Sequence, residues 1–269
     1  MKQGLNSVEN TQERIRKVGL ILIGDELLNA SREDKHMQAV IDMLKKRGMK
    51  LSWMHLIGDD EDELVSLFSK TMASNDVVFS CGGIGATPDD LTRECAAAAS
   101  RQALVRHPEA RALIEGVYGE KAYPDRILMG DFPEKAEIIP NPVNKIPGFS
   151  VEHHHFVPGF PNMAKPMIQW VLDTKYKHLF SDDPDIEIRW DLLEVGESDL
   201  MSTMTTLLSS FPEVGLSSLP SVANHGWRID FGLKGQRKKV EEAAKWFETQ
   251  LQSLQVNYEY RGESGQQGN

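Results

Sequence analysis

Strand-length apolar runs alternate with helix-length segments over the first part of the chain, and this alternation limits the folds that the chain can adopt. Apolar runs at 17–23, 51–57 and 77–80 have the length of buried strands. The segments between them carry apolar residues at helical spacing, which are Met37, Val40, Ile41 and Leu44, then Leu64, Leu67, Phe68 and Met72. Strands separated by helices predict right-handed crossovers onto a mostly parallel sheet, with ligands at the carboxyl ends of the strands.

A change in composition at 181–185 divides the chain into two parts. After it, the pattern predicts a strand, a helix, two strands and a helix, which form a small α+β unit. Both ends of the 269-residue chain are polar and cannot offset their own ordering entropy. We therefore predict a disordered N-terminus at 1–14, an α/β domain at 15–181, a small α+β domain at 182–258 and a disordered tail at 259–269.

Charge and cysteine content exclude several classes of protein. The formal net charge is -10 and no dense basic segment is present, so the chain should repel nucleic acid and acidic membrane surfaces. Two cysteines cannot form a disulfide framework, and the start of the sequence lacks a signal-peptide pattern. No apolar run is long enough to span a bilayer. We expect a cytoplasmic protein that binds neither nucleic acid nor membranes.

A glycine-rich turn with two carboxylates follows the third apolar run. Its candidate site residues are Gly82, Gly83, Gly85, Thr87, Asp89 and Asp90. The glycines let the backbone approach a ligand, and the N–H groups of a helix beginning at Pro88 with Thr87 as its cap could receive an anion. Because two carboxylates repel a bare phosphate, the turn predicts a bridging cation or a hydroxyl-rich ligand. The alternative is an ordinary capping box, Thr87-x-x-Asp90.

A second acidic turn, Gly24-Asp25-Glu26, follows the first apolar run. Taken alone, acidic residues here are those favoured at any helix start. Two acidic turns at the carboxyl ends of parallel strands nevertheless favour a binding site over two unrelated caps.

Two other reactive groups of the sequence have simpler interpretations. Cys81 ends a buried strand without an evident base nearby, so we expect a packed, inert thiol. The run His153-His154-His155 is interpreted as a solvated loop or strand end, because consecutive strand residues face opposite sides and only His153 and His155 could share a ligand.

Several of these motifs together resemble the molybdopterin-binding domain family, and within it the CinA-like (competence and damage-inducible protein A) branch. The resemblance extends from about residue 17 to 180. The motifs that carry it are Gly24-Asp25-Glu26-Leu27-Leu28, Gly58-Asp59-Asp60, the run from Gly82 to Thr92, Pro140-Asn141-Pro142 with Pro147-Gly148-Phe149, and Pro158-Gly159-Phe160-Pro161 with Lys165-Pro166-Met167. The C-terminal amidohydrolase domain of many CinA-like proteins is not matched, so the resemblance does not imply nicotinamide-mononucleotide deamidase activity.

The resemblance implies a three-layer α/β/α fold of the MogA/MoaB type with a mostly parallel sheet, followed by a second, small α+β domain. It also implies a pocket for a nucleotide or a pterin phosphate, and the family allows a homo-oligomer. CinA-like relatives hydrolyse the pyrophosphate of ADP-ribose or FAD-like dinucleotides with a divalent metal, whereas MogA-type relatives adenylylate molybdopterin. We expect the first activity. Molybdopterin binding or adenylylation and a non-catalytic, ligand-binding scaffold are the alternatives.

Residue roles follow from the matched motifs. The resemblance implies that Asp89 and Asp90 are catalytic and hold Mg, Mn or Co together with Asp25 and Glu26. The remaining ligand or phosphate contacts would be Gly24, Asp34, Gly82, Gly83, Gly85, Thr87, Pro158 and Gly159, with Asp25 and Glu26 also counted among them. The chain departs from the family where Asp34-Lys35-His36 replaces Asp-Thr-Asn, and Ala86 replaces a proline. These departures leave the substrate open.

Overall fold

The structure is a computed structural model that describes residues 17–183, 185–223 and 226–264. Within these ranges the chain forms two compact units, one of residues 17–46 and 50–179 and one of residues 47–49 and 180–264. None of the helices formed by the described residues is both long and apolar enough to cross a membrane. The predicted N-terminal segment 1–14 lies outside the described residues.

The first unit contains eight strands and six α-helices among its described residues. The strands are β1 Val18–Ile23, β2 Leu51–Ile57, β3 Val77–Cys81, β4 Leu104–Arg106, β5 Asp131–Pro133, β6 Glu137–Ile139, β7 Gly148–Val151 and β8 His154–Val157. The helices are α1 Asp25–Leu28, α2 Met37–Lys45, α3 Glu61–Met72, α4 Thr92–Ser100, α5 Pro108–Tyr118 and α6 Pro161–Lys175. The order of the six-stranded sheet is β2-β1-β3-β8-β7-β6, and β2, β1, β3 and β8 are parallel.

The central sheet lies between two helical layers. Helices α3 and α4 pack together over one face, where Ile21, Phe68 and Phe156 share a core. Helices α2 and α6 contact each other and the strands β2 and β8 on the opposite face. Strand residues alternate between the faces, and β1 is buried at every position, as a central parallel strand should be. The predicted three-layer, mostly parallel α/β fold is confirmed.

The residues around the histidine run form a hairpin. Strands β7 and β8 are antiparallel and meet at a tight turn between Val151 and His154. Glu152 adopts a left-handed conformation there, with a φ of 53°. The turn reverses the chain, so β7 runs against the other five strands of the sheet, and β6, which is antiparallel to β7, has the same direction as β8.

The second unit is an antiparallel sheet packed against two helices. Its elements are β9 Ile186–Leu193, α7 Glu197–Ser210, β10 Gly215–Ala223, β11 Gly226–Gly235, α8 Arg237–Ser253 and β12 Asn257–Ser264. The strand order is β10-β11-β9-β12, with the core centred on Trp190, Phe231 and Phe247. The prediction of a disordered tail from residue 259 is wrong as far as residue 264, because backbone pairing with β9 makes this polar segment an edge strand. Residues 265–269 lie outside the described residues.

Candidate functional site

Four parallel strands end at the same edge of the central sheet and bring the two predicted acidic turns close to each other. After β1, the Gly24 N–H donates to the Ile57 carbonyl at the end of β2, at 3.1 Å. After β3, the Gly82 N–H donates to the Val157 carbonyl at the end of β8, at 3.0 Å. Each turn is therefore tied to the neighbouring strand end.

Gly82 is required where the glycine turn leaves β3. Its φ is 119°, and a Cβ at this position would lie 2.3 Å from the carbonyl oxygen of Ile23 in the adjacent strand. A side chain there would collide with backbone that cannot move. Because the Gly82 N–H is committed to Val157, this residue supports the shape of the turn through its backbone.

The helix after the glycine turn begins later than predicted. It starts at Thr92, not at Pro88, and the segment from Thr87 to Asp90 forms a separate turn. In that turn one oxygen of Asp90, Oδ2, accepts from the Thr87 N–H at 2.8 Å and from the Thr87 hydroxyl at 2.5 Å. Thr92 then fixes the glycines, because its N–H donates to the Gly83 carbonyl and its hydroxyl to the Gly82 carbonyl. These hydrogen bonds within the glycine turn replace the expected helix cap at Thr87.

Asp89 and Asp90 occupy different environments. Asp90 is half-buried and holds the turn through Thr87, so one of its oxygens is already engaged. Asp89 is exposed, and hydrogen bonds from Thr87 and from its own backbone lower its pKa. Asp89 is therefore ionised at neutral pH and open to a ligand.

Asp59 joins the acidic turn that follows β1. The Asp25 N–H donates to Asp59 Oδ2 at 3.2 Å, and the Asp59 N–H donates to Asp25 Oδ1 at 3.3 Å. Burial raises the pKa of Asp59, and the negative charges of Asp25, Glu26 and Asp89 raise it further, against the hydrogen bond from Asp25. The charges of Asp25, Glu26 and Asp89 thus act on Asp59, and these four residues are hereafter the carboxylate cluster.

A cation and an aromatic ring that the sequence analysis did not assign to the site border this cluster. Arg32 Nη1 lies 3.6 Å from Glu26 Oε1, and its guanidinium carbon lies 5.3 Å from the centroid of the Phe160 ring. Phe160 follows Gly159, whose missing Cβ would lie 3.3 Å from the Cα of Gly82. Pro158 and Gly159 therefore lie beside the glycine turn. Asp59 belonged to a matched motif, but nothing in the local sequence marked Arg32.

Asp34 fixes the start of helix α2. Its carboxylate accepts from the backbone N–H groups of His36 at 2.8 Å and Met37 at 3.0 Å, and it lies 3.0 Å from His36 Nδ1. Burial raises the pKa of Asp34, but these donors outweigh burial and lower the pKa overall. Because a carboxylate only accepts, Nδ1 carries the ring proton, and the buried Nε2 of His36 has no hydrogen-bond partner within the described part of the chain.

The donors at this edge suit a hard divalent cation, although they do not enclose one. Among residues 17–183, 185–223 and 226–264, no three His, Cys, Asp or Glu side chains are close enough together to hold a metal ion. Mg²⁺ commonly binds through one or two carboxylates together with substrate phosphates and water. The exposed Asp89 and the neighbouring Asp25 and Glu26 fit that manner of binding, in which the substrate completes the site.

The remaining reactive residues of the first unit are packed inside it. Cys81 is buried, and burial followed by the charge of Asp34 raises the pKa of its thiol, so the prediction of an inert thiol agrees with its surroundings. The interpretation of the histidine run as solvated is wrong for His154 and His155, which are 2% and 0% exposed. His153 and His155 do face one partner, the Tyr176 hydroxyl, at 3.1 and 2.8 Å.

Comparison with known proteins agrees with this architecture. A family model described as "Probable molybdopterin binding domain" matches residues 19–178. The CinA-like protein of Escherichia coli (strain K12 / DH10B) is 30% identical over 199 residues, which cover 71% of this chain and 50% of that protein. The NMN amidohydrolase-like protein YfaY of Escherichia coli (strain K12) matches with the same identity and coverage. The chain thus spans about half the length of the curated relatives it matches.

Among solved structures, the crystal structure of the protein CinA from Thermoplasma acidophilum superposes with a TM-score of 0.54 at 27% identity. The match covers 59% of this chain and 96% of that one. The family model alone covers more than half of the chain, over the unit that contains both acidic turns. This chain belongs to the molybdopterin-binding domain family, and its curated relatives are CinA-like proteins.

Proposed function

We propose that this protein hydrolyses the phosphoanhydride bond of ADP-ribose- or FAD-like dinucleotides with the help of Mg²⁺, Mn²⁺ or Co²⁺. The observation that carries the proposal is the carboxylate cluster, in which burial and neighbouring negative charges raise the pKa of Asp59. A cation bound beside these carboxylates would offset their negative charge and would attract the phosphates of a dinucleotide.

The proposed roles follow from exposure and existing hydrogen bonds. Asp89, with Asp25 or Glu26, holds the cation, which supplies positive charge to the bridging phosphates. Asp90 keeps the turn in shape through Thr87, so that Asp89 stays in place. In the reaction the oxygen of a water molecule forms a bond to one phosphorus and gives up a proton to solvent, while the bridging P–O bond breaks and its electron pair leaves with the second phosphate. For ADP-ribose the products are AMP and ribose 5-phosphate.

The names of the relatives support hydrolysis only in a general sense. One of them is named as NMN amidohydrolase-like, which denotes hydrolysis of a different bond. Because this chain spans half of that protein, the name supports hydrolytic chemistry in the family without assigning the bond or the substrate.

The direct test is release of AMP from ADP-ribose, FAD and related dinucleotides with each metal in turn. We expect metal-dependent AMP release from the unmodified protein, and at least about a hundredfold lower kcat/KM for Asp89→Asn. Asp125→Asn, which changes an exposed carboxylate on another loop of the same unit, serves as the matched control. Equal activity of Asp89→Asn and Asp125→Asn, or no AMP release with any metal, would exclude the proposal.

Molybdopterin binding is the second candidate, favoured by the description of the matching family model. The same turn and cluster would then bind the pterin phosphate without cleaving a dinucleotide, or would transfer AMP to it. Titration with molybdopterin tests this function directly, and an absence of binding would remove it. If no metal, nucleotide or pterin raises the melting temperature, the non-catalytic scaffold remains as the explanation of the fold.

A further inference from the structure

An exposed aromatic ring lies at the edge of the proposed site, with an arginine over it. Phe160 is 54% exposed and lies in the turn between β8 and α6, where Pro161 begins the helix. Arg32 comes from the segment after α1, which is closed by a hydrogen bond from the Arg32 N–H to the Glu26 carbonyl at 3.0 Å. Two segments far apart in sequence thus place a guanidinium 5.3 Å from the centroid of the Phe160 ring.

The contacts that hold Arg32 are weak ones. Its side chain and that of Glu26 are 40% and 44% exposed, and their closest atoms are 3.6 Å apart. Ion pairs and cation–π contacts at such exposed positions contribute little and exchange readily with water or ligands. Arg32 can therefore leave Glu26 when a phosphate offers two oxygens in the geometry that a guanidinium prefers.

We propose that Phe160 and Arg32 form the recognition pair for a phosphorylated heteroaromatic ligand, with the planar ring stacking on Phe160 and the phosphate binding Arg32. This assignment rests on the proposed function, because it places the ligand at the same strand edge. Binding of the ligand exchanges partners. The phosphate of the ligand binds Arg32 in place of Glu26, and the ring of the ligand stacks on the face of Phe160 that Arg32 covered. Glu26 is then free to bind a cation.

This exchange of partners provides a positive group for the phosphate, which the carboxylate cluster lacks. The cluster attracts cations and repels phosphate, so a ligand carrying a phosphate needs a positive group at its border. Arg32 is such a group, since it already touches a member of the cluster. An exposed phenyl ring gives a purine or a pterin a stacking surface that a ligand without a ring cannot use.

The test is binding of three probes to the full chain by titration calorimetry in magnesium-containing buffer. The probes are AMP, neopterin phosphate and ribose 5-phosphate, which carry a purine, a pterin and no heteroaromatic ring. Phe160→Leu should weaken the binding of AMP or neopterin phosphate by about tenfold and leave that of ribose 5-phosphate unchanged. Phe160→Tyr, which keeps an aromatic ring, should bind AMP or neopterin phosphate as tightly as the unmodified protein does. The heteroaromatic probe that binds the unmodified protein more tightly identifies the class of ring.

Arg32→Gln should weaken the binding of all three probes, because each probe carries a phosphate. Arg126→Gln is its matched control, since Arg126 lies 5.0 Å over the Tyr118 ring elsewhere in the same unit. Melting temperatures of all variants check that the fold is retained. The proposal is overturned if no probe binds, if Phe160→Leu affects ribose 5-phosphate as much as AMP, or if Arg32→Gln behaves like Arg126→Gln. Since binding is measured without turnover, a protein that binds AMP through this pair and releases none from dinucleotides would contradict the proposed hydrolysis alone.

Discussion

At the strand edge, burial and the charges of Asp25, Glu26 and Asp89 raise the pKa of Asp59 above the ordinary value of 3.8. A carboxyl group with a raised pKa stabilises the folded state below the ordinary value and loses that contribution as pH rises through the raised one. At neutral pH the ionised Asp59 therefore destabilises the protein.

Asp59→Asn should raise the melting temperature at pH 7, because it removes a charge from the cluster while its amide oxygen can still accept from the Asp25 N–H. The gain should be below about 1 kcal/mol, since water screens this partly exposed group. The difference from the unmodified protein should shrink as pH falls through the raised pKa and vanish below 3.8, where Asp59 becomes protonated in both states. Thermal unfolding from pH 3.5 to 7.5 measures this difference in stability. A lower melting temperature of Asp59→Asn than of the unmodified protein at pH 7 would contradict the prediction.

Two glycines of the glycine turn differ in what an added side chain would meet. At Gly85 a Cβ would lie 2.4 Å from Asp90 Oδ2, which is the end of a side chain, whereas at Gly82 it would meet the backbone carbonyl of Ile23. The two positions should therefore respond differently to the same substitution.

Gly82→Ala should lower the free energy of unfolding by at least about 2 kcal/mol, because it combines a positive φ with a collision against a neighbouring strand. Gly85→Ala should cost about 1 kcal/mol, the size of the hydrogen bonds between Thr87 and Asp90 that it disturbs, and should weaken ligand binding more than stability. Urea denaturation and AMP titration of both variants separate the effects. Equal losses of stability would show that the Gly82 turn adapts.

Strand β8 carries two buried histidines into the core. His154 stacks on Phe156 with ring centroids 4.4 Å apart, and its Nε2 lies 2.7 Å from the Ser80 hydroxyl. Burial lowers the pKa of His154 to about 3, so the ring is neutral in the folded protein. Stability from the neutral ring is fully present above the ordinary pKa of 6.5 and is lost as pH falls from there towards about 3.

His154→Phe should flatten the acid side of the stability curve, because a phenyl ring fills the same aromatic environment and does not titrate. Its stability at pH 7 should fall by about 1 kcal/mol, since the Ser80 hydroxyl loses its partner. The measurement is the free energy of unfolding between pH 4 and 7.5. Parallel curves for the two proteins would mean that other groups control the acid sensitivity.

At the scale of the whole molecule, the second unit is completed by the last strand of its sequence. In the second unit β12 pairs with β9, and Arg237 binds Glu263 through two contacts of 2.9 and 2.7 Å. The ring of Tyr260 lies 6.3 Å from that of Trp190. These contacts make β12 part of the second unit's sheet.

Truncation after Val256 should therefore lower stability by at least about 2 kcal/mol, because it uncovers one edge of β9 and removes the partner of Arg237. The reference is a chain that ends at Ser264. Tryptophan fluorescence during urea unfolding reports the change through Trp190, which is 0% exposed in the intact unit. Coincident unfolding curves would show that the strand adds nothing.

Local patterns predicted those elements whose cause is local. Asp60 caps α3 by accepting from the Glu63 N–H at 2.9 Å, and His107 with Pro108 begins α5, so each start is set by residues within one turn of the helix. The start of α4 was misplaced because Thr87 and Asp90 satisfy each other in a turn, while Thr92 is recruited by the glycines. The burial of His154 and His155 could not be predicted from the local sequence, because it depends on strands β3 and β7, which pair with β8 on either side.

The sequence by itself determined the alternating α/β class, the two acidic turns at strand ends and the family, because apolar periodicity and glycine spacing are written along the chain. Only the tertiary structure decided which side chains meet. Asp25 and Asp59 are 34 residues apart and pair because β1 and β2 are parallel neighbours. Arg32 reaches Phe160 because the turn after β8 lies beside the glycine turn. Such contacts depend on strand order, which no local pattern encodes.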